Sequence, residues 1–90
     1  MSKIIIPTPL RKFTNFESSV EISGTTVLEA VKDLTSQHPD IKNHLLDTTG
    51  KLRSFIRIFV GDSDILTLDR EHTKIESSTV ISIVPAIAGG

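Results

Sequence analysis

A single amphipathic helix set among short strand-like segments constrains the fold more than any other feature of this sequence. Thr26 and Glu29 have capping-box spacing, and the helix is expected to end near His38, before Pro39. Between these limits apolar residues recur at helical spacing, namely Val27, Leu28, Val31 and Leu34. Because one helix has one apolar stripe, it must bury that stripe against one face of a sheet.

Segments that are rich in β-branched residues or alternate in polarity predict the strands of this sheet: residues 4–6, 19–23, 55–60 and 79–84. Ile65 and Leu66 predict a brief fifth strand, and Ile41, Leu45 and Leu46 a short second helical turn. The predicted fold class is α+β, a roll with one main helix packed on a four- to five-stranded mixed sheet. We expect both layers to contribute to the core, through Ile4, Ile6, Val20, Ile22, Leu28, Val31, Leu34, Ile56, Ile58, Ile81 and Ile83.

Composition limits the classes of function that this chain can have. Its 90 residues fit one domain, and a net charge of −1 without Trp, Tyr or a basic block argues against binding to nucleic acid. Cysteine is absent, which excludes disulfides, thiolate metal sites and cysteine nucleophiles. The apolar runs are too short to cross a membrane. We expect a cytoplasmic protein that binds neither nucleic acid nor membrane.

No set of side chains in the sequence predicts catalysis by this chain alone. His38, His44 and His72 lie in separate segments without the spacing of a metal pair, so each is interpreted as a surface or capping residue. Asp62 and Asp64 resemble the start of a calcium loop, but the downstream glycine and glutamate that such a loop needs are missing. They are interpreted as turn residues. We therefore expect no metal site and no enzymatic activity.

The last residues of the sequence are small, apolar and uncharged, and they end in Gly89 and Gly90. Glycine has no Cβ, so two glycines make a chain end slender enough to enter a narrow cleft and leave its carboxylate open to a second reactant. The expected organisation is a domain over residues 1–85 followed by a flexible tail over 86–90. Such a tail suits a carboxylate that is presented to the active site of another protein.

A second candidate feature lies on the most strongly predicted strand. Phe55, Arg57 and Phe59 alternate with aliphatic residues of the same strand, so the two sets point to opposite faces of the sheet. If the aliphatic set faces the helix, two phenylalanines and an arginine occupy the open face. Two interpretations stay open: scattered surface aromatics, which are common singly, or a docking patch, since Phe and Arg are enriched at interface cores.

The sequence resembles the ubiquitin-like sulfur carriers, a family that includes the small subunit of molybdopterin synthase and the thiamine-pathway carrier. The resemblance rests on the order of elements over essentially the whole chain and on a final strand followed by Pro85-Ala86-Ile87-Ala88-Gly89-Gly90. The Ile6-Pro7-Thr8 start and the Gly50-Lys51-Leu52-Arg53 segment are most similar to the branch that supplies sulfur for cysteine or homocysteine synthesis. The resemblance implies a β-grasp, or ubiquitin-like, fold.

In that family a partner enzyme related to the ubiquitin activators uses ATP to adenylate the terminal carboxylate, and sulfur then displaces the adenylate. The product is a C-terminal thiocarboxylate that donates sulfide to a synthase, for which a PLP-dependent enzyme is one candidate. The resemblance thus implies that Gly90, with Gly89, is the reactive end, and that the carrier binds no cofactor while its partner uses ATP. The implied partner contacts are Phe55, Arg57, Phe59, Pro85, Ala86, Ile87 and Ala88.

Other functions remain open at this point. The chain could be the small subunit of a molybdopterin synthase, or a ubiquitin-like modifier whose terminal glycine forms an amide with a lysine of a target protein. It could also be a binding or structural module in which the two glycines are incidental. Release of sulfide without covalent conjugates would separate a carrier from a modifier, and failure of activation by ATP and the partner enzyme would favour the module.

Overall fold

The computed structural model describes residues 2–53 and 55–85, which form a five-stranded sheet with one face packed against helices. Numbered in chain order, the strands are β1 (Ser2–Ile5), β2 (Ser19–Ile22), β3 (Ile56–Val60), β4 (Ser63–Asp64) and β5 (Val80–Pro85). Their spatial order is β2-β1-β5-β3-β4. β1 and β5 pair in parallel at the centre, with Ile4 opposite Ile81, and the other neighbouring strands pair antiparallel. The predicted α+β class with a mixed sheet is therefore confirmed.

The main helix, α1 (Val27–Gln37), begins at the capping box that the sequence predicts. The Thr26 hydroxyl accepts a hydrogen bond from the Glu29 amide at 3.2 Å, and the Glu29 carboxylate accepts one from the Thr25 amide at 2.8 Å. The first bond satisfies one of the amide groups that the start of a helix leaves unpaired. The second differs from a standard capping box, because the Glu29 carboxylate pairs with the residue before the N-cap and not with the amide of Thr26. Gly24 is required just before them, because a Cβ at that position would lie 2.8 Å from the Cβ of Glu29.

The buried face of α1 corrects the predicted core at one position. Leu28 is half-buried, whereas the inward stripe of the helix consists of Val27, Ala30, Val31 and Leu34. The prediction for Leu28 was wrong because Val27 takes the inward position, about 100° away around the helix. The other predicted core residues are all buried. The structure adds residues that the sequence did not place in the core, namely Leu10, Val27, Ala30, Ile41, Leu45, Leu46, Ile65 and Ile75.

The segment after α1 follows the prediction of a second helical turn. A 3₁₀ helix over Pro39–Ile41 runs directly into a short helix, α2 (Lys42–Leu45). Ile41, Leu45 and Leu46 are buried and extend the apolar face that α1 lays on the sheet. Further 3₁₀ helices span Thr8–Phe13, between β1 and β2, and Arg70–His72, before β5.

The brief strand predicted at Ile65 and Leu66 is wrong by two residues. β4 is Ser63–Asp64, and the next three residues form a 3₁₀ turn. The Asp64 carboxylate accepts a hydrogen bond from the Leu66 amide at 3.0 Å, which bends the chain at that point. The bend directs the Ile65 side chain into the core, where it is buried.

Residues 86–90 lie outside the described part of the chain, and with them the predicted flexible tail and its boundary with the domain. Within 2–53 and 55–85, no helix is long and apolar enough to cross a bilayer.

The corrected helix face leads to a paired test of the core. Leu34→Ala should lower the free energy of unfolding by about 2–5 kcal/mol, since it leaves a cavity at a side chain with no exposed surface. Leu28→Ala, the same substitution at a half-buried position, should cost roughly 1 kcal/mol. Urea denaturation midpoints of the two variants measure the difference. Equal costs would show that the helix presents both leucines to the core.

Candidate functional site

The side chains of β3 divide between the two faces of the sheet. Ile56 and Ile58 are buried against the helices, whereas Arg57 is exposed and Phe59 is half-buried on the opposite face. Phe55, immediately before the strand, has 43% of its surface exposed. The predicted facing of this strand is confirmed, and the docking role of the three residues stays a prediction.

Strand pairing extends this surface across the centre of the sheet. Arg57 lies opposite Val84, and Phe59 lies opposite Ser82, which also pairs with Ile5 on β1. Residues directly opposite each other on neighbouring strands share a face. We call this surface the open face, and its members are Ile5, Arg57, Phe59, Ser82 and Val84, with Phe55 at its margin. Val84, at 46% exposure, is a residue that the sequence analysis did not single out.

Arg57 is held in place by an ion pair with Asp64. Its Nε and Nη2 atoms donate to the same carboxylate oxygen, Oδ2 of Asp64, at 3.0 and 2.8 Å. The Leu66 amide donates to the other oxygen at 3.0 Å. This amide first, and the Arg57 guanidinium second, hold the pKa of the Asp64 carboxyl below its ordinary value, because both favour the charged form. The pair fixes the arginine beside Phe59 and reduces its net charge.

The last described residues place the chain's exit beside the open face. β5 ends at Pro85, which is half-buried and pairs with Ile56, the first residue of β3. β1 runs parallel to β5, so β1 also ends at this edge of the sheet. We call it the tail edge. The remaining residues of the predicted site, Ala86, Ile87, Ala88, Gly89 and Gly90, lie outside the described residues and continue the chain from this edge.

The histidines are distributed as structural side chains. His38 is the residue at the end of α1, and His44 stacks on Phe13 with ring centroids 4.2 Å apart. His72 lies 3.6 Å from the Glu71 carboxylate on an exposed 3₁₀ turn. In the two described ranges there is no group of three His, Cys, Asp or Glu side chains that could hold a metal ion. The open face and the tail edge therefore remain the candidate functional features of the domain.

The hydrogen bonds that the Asp64 carboxylate accepts, from the Leu66 amide first and from Arg57 second, predict a pH dependence of stability. Because the pKa of Asp64 is lowered from 3.8, its charged form contributes stability that is present above that value and is lost as the pH falls through the folded-state pKa. The difference in urea midpoint between the wild type and Asp64→Asn should be constant near neutral pH and should shrink below about pH 4. Asp62→Asn removes the same charge two residues away, in an exposed turn, and is the matched control. If the difference in urea midpoint from the wild type shrank equally for Asp62→Asn, the assignment to Asp64 would be contradicted.

Known proteins with this fold share both the sequence pattern and the architecture. The ThiS family model matches residues 4–90. A Mycobacterium bovis protein named sulfur carrier protein CysO is 36% identical over 89 residues, which cover 97% of this chain and 96% of that protein. A chain of the Amycolatopsis orientalis BexX/CysO complex matches with a TM-score of 0.91 and 38% identity, with 100% of both chains covered.

A more distant structure shows how widely the architecture is shared. Small archaeal modifier protein 1 of Methanosarcina acetivorans has a TM-score of 0.89 at 23% identity, over 99% of this chain and 95% of that one. At that identity the likeness is one of fold alone. The architecture is the β-grasp, with one main helix on a mixed sheet of five strands. The chain belongs to the ThiS family of ubiquitin-like sulfur carriers.

Proposed function

We propose that this protein is a sulfur carrier whose Gly90 carboxylate is adenylated by a partner enzyme and then converted to a thiocarboxylate. The observation that carries the proposal is the extent of the match: the family model includes residue 90, and a relative named as a sulfur carrier aligns over 97% of the chain. The protein acts as a carrier and not as an enzyme. The proposed site of action is the cytoplasm, and the proposed end use is cysteine or homocysteine synthesis.

The chemistry needs little from the carrier beyond its end. A carboxylate is a poor electrophile at neutral pH, so the Gly90 carboxylate oxygen first attacks the α-phosphate of ATP and pyrophosphate leaves. A sulfur nucleophile then attacks the carbonyl carbon of the acyl adenylate, and AMP leaves with the electron pair of the broken C–O bond. Two easier substitutions replace a difficult one. The thiocarboxylate that results carries the sulfide to a synthase, for which a PLP-dependent enzyme is a candidate.

The activating enzyme binds the open face while the tail enters its active site. Five residues follow Pro85, and fully extended they reach roughly 16–18 Å. An enzyme that binds Gly90 must therefore cover the tail edge of the domain. Phe55, Arg57 and Val84 lie at that end of the open face, where Arg57 is paired with Asp64. The structure of a related chain in a BexX/CysO complex is consistent with binding to another protein.

The terminus gives the sharpest prediction of the proposal. Adding one residue after Gly90, or deleting Gly90, should abolish thiocarboxylate formation and leave the melting temperature unchanged. One residue moves the reactive carbon by about 3.3–3.6 Å, and a displacement of about 1 Å can cost a hundredfold in rate. Intact-mass spectrometry of protein incubated with ATP, the adenylating enzyme and a sulfur source detects the replacement of one oxygen by sulfur.

The control for this experiment is Ala86→Ser, which alters the tail and preserves its length. It should retain activation. Wild-type rates on the extended chain, without removal of the added residue by a protease, would exclude the proposed chemistry at Gly90. Covalent conjugates to lysines of other proteins, formed without release of sulfide, would indicate a modifier in place of a carrier.

The open face is tested by two valines of one strand. Val84 and Val80 both lie on the exposed side of β5, but Val84 is next to the tail edge, whereas Val80 is at the opposite end, beside Lys3. Phe59→Ala should weaken binding of the adenylating enzyme about thirtyfold, as an aromatic hot spot does, and Val84→Ala should weaken it less. Val80→Ala should leave it unchanged. Titration calorimetry measures the three affinities, and equal effects of the two valine variants would argue against docking at this face.

A further inference from the structure

Asn15 and Phe16 form a strained turn between β1 and β2. The Glu17 amide donates to the Thr14 carbonyl at 3.0 Å, and the two residues between them have positive φ angles, 55° at Asn15 and 63° at Phe16. Two central residues with positive φ define a type I′ turn, whose second central position is normally glycine. Asparagine adopts such a conformation readily, and phenylalanine does so at a steric cost. Phe16 therefore stands where backbone geometry favours glycine.

Neighbouring groups fix this turn in place. Thr14 is fully buried, and its hydroxyl lies 3.1 Å from the Arg11 carbonyl and 3.0 Å from the Glu17 carbonyl, to which it donates. The Phe16 amide also donates to the Arg11 carbonyl, at 2.8 Å. A strained conformation persists only where surrounding contacts hold it, and such residues concentrate at functional sites. These hydrogen bonds therefore hold the backbone at position 16 in one conformation.

The ring of Phe16 contributes little to the domain itself. It is 78% exposed, more than any other large hydrophobic side chain in the described ranges. Phe13, three residues earlier, shows the contrast, because it packs against the core and stacks on His44. The fold thus tolerates backbone strain at Phe16 without gaining buried apolar surface in return. This combination points to a contact with another molecule.

The turn lies at the tail edge. β1 ends at Ile5, and β2 begins at Ser19, directly opposite it. Residues 6–18 therefore connect the two strands at the end of the sheet where β5 also terminates. Phe55 is at the same edge, before the first residue of β3. A partner that receives the tail meets this edge first, because the five residues after Pro85 reach only roughly 16–18 Å.

We propose that Phe16 is an anchor that inserts into an apolar pocket of the enzyme that adenylates Gly90. The inference rests on the proposed function and adds a contact outside the open face. Exposed aromatic side chains that enter a pocket commonly dominate binding energy. A side chain held on a rigid turn loses little conformational freedom on binding, which increases affinity.

Phe16→Gly separates binding from folding because glycine suits the turn better than phenylalanine does. Its melting temperature should equal or exceed that of the wild type. With the ubiquitin-activator-like adenylating enzyme of the same organism and ATP, the KM for the carrier should rise about thirtyfold. The kcat at saturating carrier should stay unchanged, because Phe16 does not touch the reacting carboxylate. Asn15→Gly, which alters the same turn and keeps the ring, is the matched control and should retain the wild-type KM.

The other outcomes of this experiment overturn the proposal in distinguishable ways. A wild-type KM for Phe16→Gly, while the wild type forms its thiocarboxylate, would show that the ring makes no contact with the adenylating enzyme. An equal rise in KM for Asn15→Gly would assign the effect to turn geometry. Normal activation with weakened transfer to the synthase would place the anchor on the other partner. A wild type that is never activated would overturn the proposed function itself.

Discussion

The parallel pairing of β1 with β5 is the constraint on which the rest of the structure depends. Two parallel strands cannot be joined by a tight turn, so the chain between them must cross over, and here the crossover contains the main helix. The pairing brings Ile4 opposite Ile81, both without exposed surface, beneath that helix. It also makes β1 and β5 end at the same edge. The place where β5 ends at Pro85, and the set of segments that lie beside it, follow from this one pairing.

Only one face of the sheet is buried, so the two faces carry different sets of side chains. The apolar stripes of α1 and the segment after it cover the inner face, and the opposite face of the central strands keeps Arg57, Phe59 and Val84. β3 pairs antiparallel with β5, and antiparallel strands commonly have one face packed on the core and the other exposed to solvent. The ion pair between Arg57 and Asp64 adds a polar contact to that surface. The side chains that form the core are therefore not those of the proposed docking surface.

Residues with a clear period could be placed from the sequence, and residues governed by local hydrogen bonds could not. Alternation along β3 correctly separated Ile56 and Ile58 from Arg57, because the strand period leaves two choices and the aliphatic set decides between them. The helix offered a continuous range of orientations, so neighbouring Val27 and Leu28 were hard to distinguish. The bend at Ile65 depends on the side chain of Asp64, which a strand pattern does not encode.

The residues of the candidate site also differ in whether the sequence alone could identify them. The glycines and the β3 residues were predicted from composition and alternation, but Val84 became visible only through its pairing with Arg57. The strain at Phe16 had no signal in the periodic pattern, because phenylalanine is uncommon at a position where φ is positive. An Asn-Gly pair would have predicted the turn, whereas Asn15 followed by phenylalanine hides it.

The distribution of phenylalanine in the structure is consistent with the proposed contacts. Aromatic side chains normally dominate the energetics of a core, yet the buried core of the described residues is wholly aliphatic. Phe13 and Phe59 are half-buried, and Phe16 and Phe55 are exposed, so all four phenylalanines of the chain lie outside that core. A single exposed aromatic is ordinary, since much of any protein surface is apolar. Two of these rings flank the edge where β5 ends, and a third lies on the open face. The two exposed rings, Phe16 and Phe55, thus lie at the end of the sheet where the proposed function requires a partner to bind, and aliphatic side chains alone fill the core.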